Sequence, residues 1–188
     1  MTVLFLTESD VDSRIDMTTA IEAVERAFVA LADGTAVNIP RARAKAPGFL
    51  LHSMSASAEY LGLAGWKNYT TTSQGARFHV AAYELDSGRM LALIQANRLG
   101  QLRTGAASGV ATRHLARPDA TVLGLLGTGW QAESQLEAIA CVRTLETVRV
   151  HSRDPERRRT FAETMSRRLG LDVQAVDSAE AVVEGADT

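Results

Sequence analysis

The chain has 188 residues, of which 46% are hydrophobic and 22% charged, a composition typical of a folded globular protein. Its formal net charge of −2 comes from 20 basic and 22 acidic residues without long blocks of one sign, which argues against binding to nucleic acid or a membrane surface. The N-terminus has neither the basic nor the apolar region of a secretion signal, and no apolar stretch reaches the ~18 residues of a membrane span. We therefore expect a cytoplasmic protein.

The first part of the chain predicts a unit of mixed helices and strands. A short apolar run at 3–6 precedes a capping-rich segment at 7–10, and apolar residues spaced three and four apart predict a helix over 17–31. Strand-like segments follow; they cover residues 39–46, 49–54, 61–69, 78–85 and 90–95, and the last two are joined by a turn at 86–88 that predicts a hairpin.

The second part alternates strands and helices. After an alanine-rich helix at 104–115, we predict strands at 121–126, 147–151 and 171–175. Helices are predicted from the end of segment 127–132 to about 142, over 155–169 and over 178–184. This alternation predicts a parallel sheet with right-handed crossovers. A fourth strand is expected to begin at 185–188, so the sequence contains the first half of a doubly wound nucleotide-binding sheet, and we expect the chain to be incomplete.

A glycine pattern lies between the first strand and helix of this second part. Gly127-x-Gly129-x-x-Ala132 has the strand and helix on either side that make such a pattern a credible dinucleotide-binding fingerprint. Gly127 would permit the tight turn, and Gly129 would allow a pyrophosphate to approach the backbone closely. Ala132 would allow the helix to pack closely on the strand. The alternative is a glycine-rich turn without a ligand.

The residues after the second strand bear on cofactor choice. Ser152 and Arg153 stand near the place where NAD-binding proteins have an acidic residue, and a hydroxyl with a guanidinium suits the 2′-phosphate of NADP(H). The neighbouring Asp154 favours NAD(H) instead. Three more arginines follow at 157–159, and the last two are expected on a solvated helix face.

Several cations outside the glycine pattern are candidates for anion binding. They are Arg41 and Arg43 after Pro40, Lys67 and Arg103, each of which taken singly is an ordinary surface base. Lys67 is the most suggestive, because a lysine within the apolar stretch 61–69 is costly unless it is paired or used. Desolvation there would lower its pKa and make it a usable acid or base.

The remaining reactive side chains predict no site. The four histidines have no metal-ligand spacing, and we expect no metal. Cys141 is the single cysteine of the sequence, so no intrachain disulfide can form. Its position in an apolar helical run predicts a core residue.

Three runs of sequence together resemble the central signature of the ornithine cyclodeaminase/μ-crystallin family. They are residues 102–108 (LRTGAAS), 114–120 (HLARPDA) and 127–132 (GTGWQA), in that order and spacing. The similarity extends more loosely over the whole chain, where Pro40-Arg41, Lys67 and the hairpin turn at 86–88 have equivalents in the family.

The resemblance implies an α/β protein of two domains. Residues 1–116 would form an α+β domain that binds substrate and dimerises, and residues 117–188 the N-terminal half of a Rossmann dinucleotide-binding domain. By the same resemblance Arg41, Lys67 and Arg103 would hold a substrate carboxylate, with Arg43 a rival for the role of Arg41, and Lys67 would assist proton transfer. The cofactor-binding residues would be Thr104, Gly127, Thr128, Gly129, Trp130 and Gln131, with Ser152 and Arg153 added from the local sequence.

The resemblance further implies an NAD(P)-dependent enzyme, with NADP(H) favoured, that transfers hydride at the carbon bearing the nitrogen of an amino or cyclic imino acid. Cyclodeaminases, ketimine and pyrroline-carboxylate reductases and alanine dehydrogenases are such enzymes. The family's catalytic aspartate lies C-terminal to residue 188. Two alternatives stay open: a non-catalytic protein of μ-crystallin type that binds NADP(H) and a small ligand, and an inactive truncated fragment.

Overall fold

A computed structural model describes residues 2–188, which form two compact units. The first unit comprises residues 2–16 and 23–100, and the second comprises residues 17–22 and 101–188. The sequence-based domain boundary between residues 116 and 117 stays a prediction.

The first unit is built on one large sheet. Its elements are β1 (Leu4–Leu6), α1 (Glu8–Asp12), most of α2 (Met17–Asp33), β2 (Ala36–Asn38), β3 (Ala42–Ala46), β4 (Phe49–Ala58), a 3-10 turn (Glu59–Leu61), β5 (Leu63–Thr72), β6 (Gly75–Glu84) and β7 (Met90–Gln95). The strand order is β1-β7-β6-β5-β4-β2, with β3 also paired to β4. All pairs are antiparallel except β1 with β7.

The predicted hairpin of β6 and β7 is confirmed, and the helix predicted over 17–31 is observed as α2, which extends to Asp33. The strand expected over 39–46 begins later than predicted, because only β3, from Ala42 to Ala46, lies in this segment, and the short strand β2 before it was not predicted. Pro40 lies in the break between them, where a residue without an N–H cannot contribute to a ladder.

The second unit alternates strands and helices. Its elements are most of α3 (Asn97–Leu115), β8 (Val122–Leu126), α4 (Trp130–Val142), β9 (Thr147–His151), α5 (Pro155–Leu169), β10 (Val173–Ala175) and α6 (Ala179–Val183). The strands are parallel in the order β10-β9-β8, which confirms the predicted parallel sheet. Their core includes Leu123, Leu136, Val148, Val150 and Met165, all at most 3% exposed.

The last two residues continue this sheet. The Asp187 N–H donates to the Val122 carbonyl (2.8 Å), and the Thr188 carbonyl accepts from the Gly124 N–H (2.9 Å), so residues 187–188 pair with β8 on the edge opposite β9. The resulting order has the 3-2-1-4 start of a doubly wound nucleotide-binding sheet. The Asp187 carboxylate accepts from the backbone N–H groups of Thr121 and Val122 and pairs with Arg117, and these contacts hold its pKa below its ordinary value.

The expectation that Cys141 is a core residue is wrong, because its side chain is exposed on α4. The buried face of this helix carries Ser134, Leu136, Ala138 and Ile139 instead. No helix within residues 2–188 is long and apolar enough to cross a membrane.

Candidate functional site

Three rings lie side by side on the sheet of the first unit. His52 on β4, Tyr69 on β5 and Phe78 on β6 are direct cross-strand neighbours. The His52 and Tyr69 rings stack with centroids 4.0 Å apart and 3° between their planes, and Tyr69 and Phe78 follow at 4.5 Å and 23°. We call these three residues the aromatic row.

Two cations predicted from the sequence lie over the aromatic row. The Lys67 Nζ is 5.7 Å from the centroid of the Tyr69 ring and 5.1 Å from that of Phe78, and the Arg41 Cζ is 5.5 Å from the Tyr69 centroid. Such distances are within the range of cation–π attraction. The structure therefore brings Arg41 and Lys67 to one ring.

Arg43, the rival candidate, has a different position. It is the cross-strand neighbour of His52 on β3, at the end of the row away from Phe78. The charges of Arg43 and Arg41 both act on His52.

His52 was not among the sequence candidates, although it is the most buried member of the row. The residue is 6% exposed, and its Nε2 lies 3.3 Å from the Thr71 hydroxyl. Its Nδ1 has no hydrogen-bond partner among residues 2–188. Burial, with the charges of Arg43 and Arg41, lowers the pKa of His52 from its ordinary 6.5, so the imidazole is neutral at pH 7.

A cleft of about 740 Å³ opens at the carboxyl ends of β8 and β9 in the second unit. It is lined by Leu126, Gly127, Thr128, Gly129, His151, Ser152, Arg153, Asp154 and Arg157. Gly127 has a φ of 105°, a conformation that favours glycine, and its N–H donates to the His151 carbonyl (2.8 Å). The glycine pattern thus forms the floor of a pocket, with the hydroxyls of Thr128 and Ser152 joined at 2.9 Å.

Gly129 has no conformational reason to be glycine. It is the N-cap of α4 with an ordinary φ of −84°, and a Cβ built on it would have no neighbour within 4 Å. Trp130 and Gln131, which follow it, are both exposed at the start of the helix. The space in front of Gly129 is therefore open to a ligand that approaches the backbone closely.

The two remaining sequence candidates lie on α3. Arg103 is exposed and Thr104 half-buried, and both belong to the second unit, whereas Arg41 and Lys67 belong to the first. The adjacent Gln101, which sequence reasoning missed, is 2% exposed, and its amide donates to the Trp130 carbonyl (2.5 Å), which ties α3 to the start of α4.

The arginines after β9 divide into three kinds. Arg159 is exposed and pairs with Glu156 (2.7 Å), as predicted. The expectation of a solvated position for Arg158 is wrong: it is 9% exposed, donates to the Ser152 carbonyl (3.3 Å) and pairs with Asp177. Its two partners come from separate loops, which the helical spacing could not reveal. Arg153 and Arg157 line the cleft.

No cluster of three or more His, Cys, Asp or Glu side chains that could hold a metal ion is present in the part of the chain that the structure describes, residues 2–188.

The fold agrees with comparisons to known proteins. The family model "Ornithine cyclodeaminase/mu-crystallin family" matches residues 1–188, and the chain belongs to this family.

Individual relatives are similar over most of this chain. The Delta(1)-pyrroline-2-carboxylate reductase of Bacillus thuringiensis subsp. konkukian is 31% identical over 157 residues, which are 80% of this chain and 47% of the relative. The solved structure of the Thermococcus litoralis Delta(1)-pyrroline-2-carboxylate reductase in complex with NADH and L-proline has a TM-score of 0.92 and 32% identity, covering 98% of this chain and 60% of that one. An archaeal alanine dehydrogenase dimer with bound NAD has a TM-score of 0.90 and 30% identity, covering 96% and 58%. The chain thus spans about half to three fifths of the length of these proteins.

Proposed function

We propose that the complete protein is an NAD(P)-dependent oxidoreductase that transfers hydride at the carbon bearing the nitrogen of an amino or cyclic imino acid. The observation that carries this proposal is the cleft at the ends of β8 and β9, with open space in front of Gly129. A pyrophosphate fits that space, because free N–H groups at the start of α4 attract anions and no side chain bars the backbone. The similar structures that contain NADH or NAD support the same assignment.

The substrate side of the reaction is assigned to the cations over the aromatic row. Arg41 and Lys67 lie over the same ring, and we assign them, together with Arg103, to the substrate carboxylate. A guanidinium can hold a carboxylate in two parallel hydrogen bonds, and a lysine beside it can move a proton to or from the substrate nitrogen. Arg41 is preferred over Arg43 because only Arg41 shares the Tyr69 ring with Lys67.

The nicotinamide supplies the hydride chemistry when bound, and the protein supplies position and charge. Thr104, Gly127, Thr128, Gly129, Trp130 and Gln131 are assigned to cofactor binding. Ser152 and Arg153, at the cleft edge, favour NADP(H) over NAD(H). The Asp154 carboxylate caps α5 by accepting hydrogen bonds from the N–H groups of Glu156 and Arg157. Because the carboxylate is engaged in this way, Asp154 favours NAD(H) less than its position in the sequence indicates.

The test is a fluorescence titration of the purified protein, in the longest form that its gene encodes, with NADPH and NADH. Energy transfer from Trp130, which follows Gly129, and from Trp66 reports binding. We expect tight NADPH binding and, with a cyclic imino acid such as a pyrroline carboxylate, oxidation of NADPH. Failure to bind either nucleotide would reject the assignment. Binding without turnover on any imino or amino acid would favour a ligand-binding role of the μ-crystallin type.

We also propose a cytoplasmic homodimer joined through the first unit. Many large apolar side chains of that unit are exposed; they include Val3, Leu4, Phe5, Phe28, Val29, Val37 and Ile39, each at least 45% exposed. Leu4 and Phe5 lie on β1, an edge strand of the sheet, where unpaired backbone groups also favour association. Light scattering should give a dimer mass for the wild type and a monomer mass for Phe5→Glu. Val183→Glu, at an exposed apolar residue of the second unit, is the control that should leave the dimer intact.

A further inference from the structure

The four arginines that follow β9 are not equivalent, and two of them have structural partners. Arg158 is buried between the Ser152 carbonyl and the Asp177 carboxylate, and Arg159 pairs with Glu156 on the surface. Their positions are explained by these contacts within the chain.

Arg153 and Arg157 have no such explanation. Both line the cleft of the glycine pattern, and neither forms an ion pair with any residue between 2 and 188. The acidic side chain nearest in sequence, Asp154, is engaged with backbone N–H groups as the cap of α5. The cleft therefore has two guanidinium groups available for an anion.

The location of Arg157 is unfavourable for the helix that carries it. α5 begins at Pro155, so Arg157 lies in its first turn, where the partial positive charge of the helix dipole disfavours a cation. The other charges of α5 match the helix dipole: Glu156 is an acid in the first turn, and Arg167 and Arg168 are bases in the last turn. An anion bound in the cleft would offset this unfavourable charge.

We propose that Arg157 is a specificity-determining residue of the cofactor cleft, which together with Arg153 binds the phosphate monoester on the adenosine ribose of NADP(H). This inference rests on the proposed function. A phosphate monoester carries close to two negative charges at pH 7 and three acceptor oxygens, which two guanidinium groups can share as bidentate partners. The ribose hydroxyls of NAD(H) offer no charge, so the pair selects between the two cofactors.

The experiment compares the dissociation constants of NADPH and NADH for the wild type, Arg157→Ala, Arg157→Lys and Arg159→Ala. We expect Arg157→Ala to weaken NADPH binding about tenfold or more, because a charge-assisted contact is lost, and to change NADH binding less than about twofold. The NADPH dissociation constant of Arg157→Lys should lie between those of the wild type and Arg157→Ala, since an ammonium keeps the charge but loses the bidentate geometry. Arg159→Ala removes a neighbouring arginine that does not line the cleft, so it should leave both constants unchanged.

A second readout separates this role from a structural one. If Arg157 contacts the phosphate, the salt dependence of NADPH binding should become shallower in Arg157→Ala, while the melting temperature without nucleotide stays within a few degrees of the wild type. Equal weakening of NADPH and NADH, or no change in either, would overturn the proposal. A wild type that binds NADH at least as tightly as NADPH would overturn it and leave the oxidoreductase assignment standing. A wild type that binds neither nucleotide would reject both.

Discussion

His52 is a buried imidazole whose charge is set by its surroundings. It is stacked on Tyr69 and flanked by the charges of Arg43 and Arg41, and both burial and these charges lower its pKa. The unfolded chain has no such neighbours, so its histidine takes up a proton near the ordinary pKa of 6.5. Below that pH the unfolded state binds more protons than the folded state at this position.

This difference predicts how stability depends on pH. Stability should fall as the pH drops below about 6.5, because the unfolded state gains a proton that the folded state resists. His52→Phe keeps a stacked ring but cannot titrate, and it should remove part of the loss in melting temperature between about pH 7 and pH 5. His79→Asn, one position along β6 from Phe78, is the matched control and should follow the wild-type curve. Parallel curves for His52→Phe and the wild type would contradict the proposed burial of a neutral imidazole.

At this scale the sequence revealed charges but not their partners. Lys67 can be identified from the sequence because it interrupts an apolar stretch, whereas the burial of His52 depends on the register of three strands and has no local signal. The burial of Arg158 has no local signal for a related reason, because its partners, Ser152 and Asp177, lie on two separate loops.

Among the elements, α3 and α4 are held together by an unusually close contact. A Cβ on Gly105 would lie 2.2 Å from the Ser134 carbonyl oxygen, and one on Gly109 would lie 3.2 Å from the Ala138 Cβ. The backbones can approach this closely only because glycine has no side chain. The same helix carries the predicted ligands Arg103 and Thr104, so this contact also sets their position within the second unit.

Gly105→Ala should therefore destabilise the protein although alanine is the better helix former. We expect a loss of about 1–3 kcal/mol in the free energy of unfolding, because the new methyl group meets rigid backbone. Gly100→Ala in the same helix is the control, since a Cβ there has no neighbour within 4 Å and should cause no loss of stability. Urea denaturation of the two variants measures both effects, and equal stability of the pair would show that the helices can move apart at no cost.

The elements that the sequence predicted best are those with signals at both ends. α5 begins with Asp154 and Pro155 and ends before Gly170, which has a φ of 68°, and its bounds were predicted as observed. The start of α3 was placed too late, because its first N–H groups, on Asn97 and Arg98, are capped by the Glu8 carboxylate at 2.8 Å each. A cap contributed by a residue so distant in sequence leaves no local pattern to read.

At the scale of the whole molecule, the cations over the aromatic row and the cofactor cleft belong to different units. The cations over the aromatic row belong to the first unit, and the cofactor cleft belongs to the second. The alternation of strands and helices, the parallel sheet and the glycine pattern could be predicted from local sequence, because each strand–helix repeat is specified within a short segment. The aromatic row could not, because it depends on pairing between strands across the first sheet.

This division predicts that binding of the cofactor and turnover can be separated by substitution. Lys67→Met keeps the length of the side chain but removes its charge and its ability to transfer a proton, so turnover should fall about 100-fold or more. Because Lys67 is no part of the cleft lining, the dissociation constant of NADPH should change less than about twofold. Lys45→Met, at an exposed lysine on β3 outside the aromatic row, should keep both properties. Steady-state rates and nucleotide titrations on the same preparations test both expectations. Normal turnover in Lys67→Met would show that this lysine takes no part in the reaction. Loss of NADPH binding in Lys67→Met would mean that the substitution affects the fold of the second unit rather than contacts with the substrate.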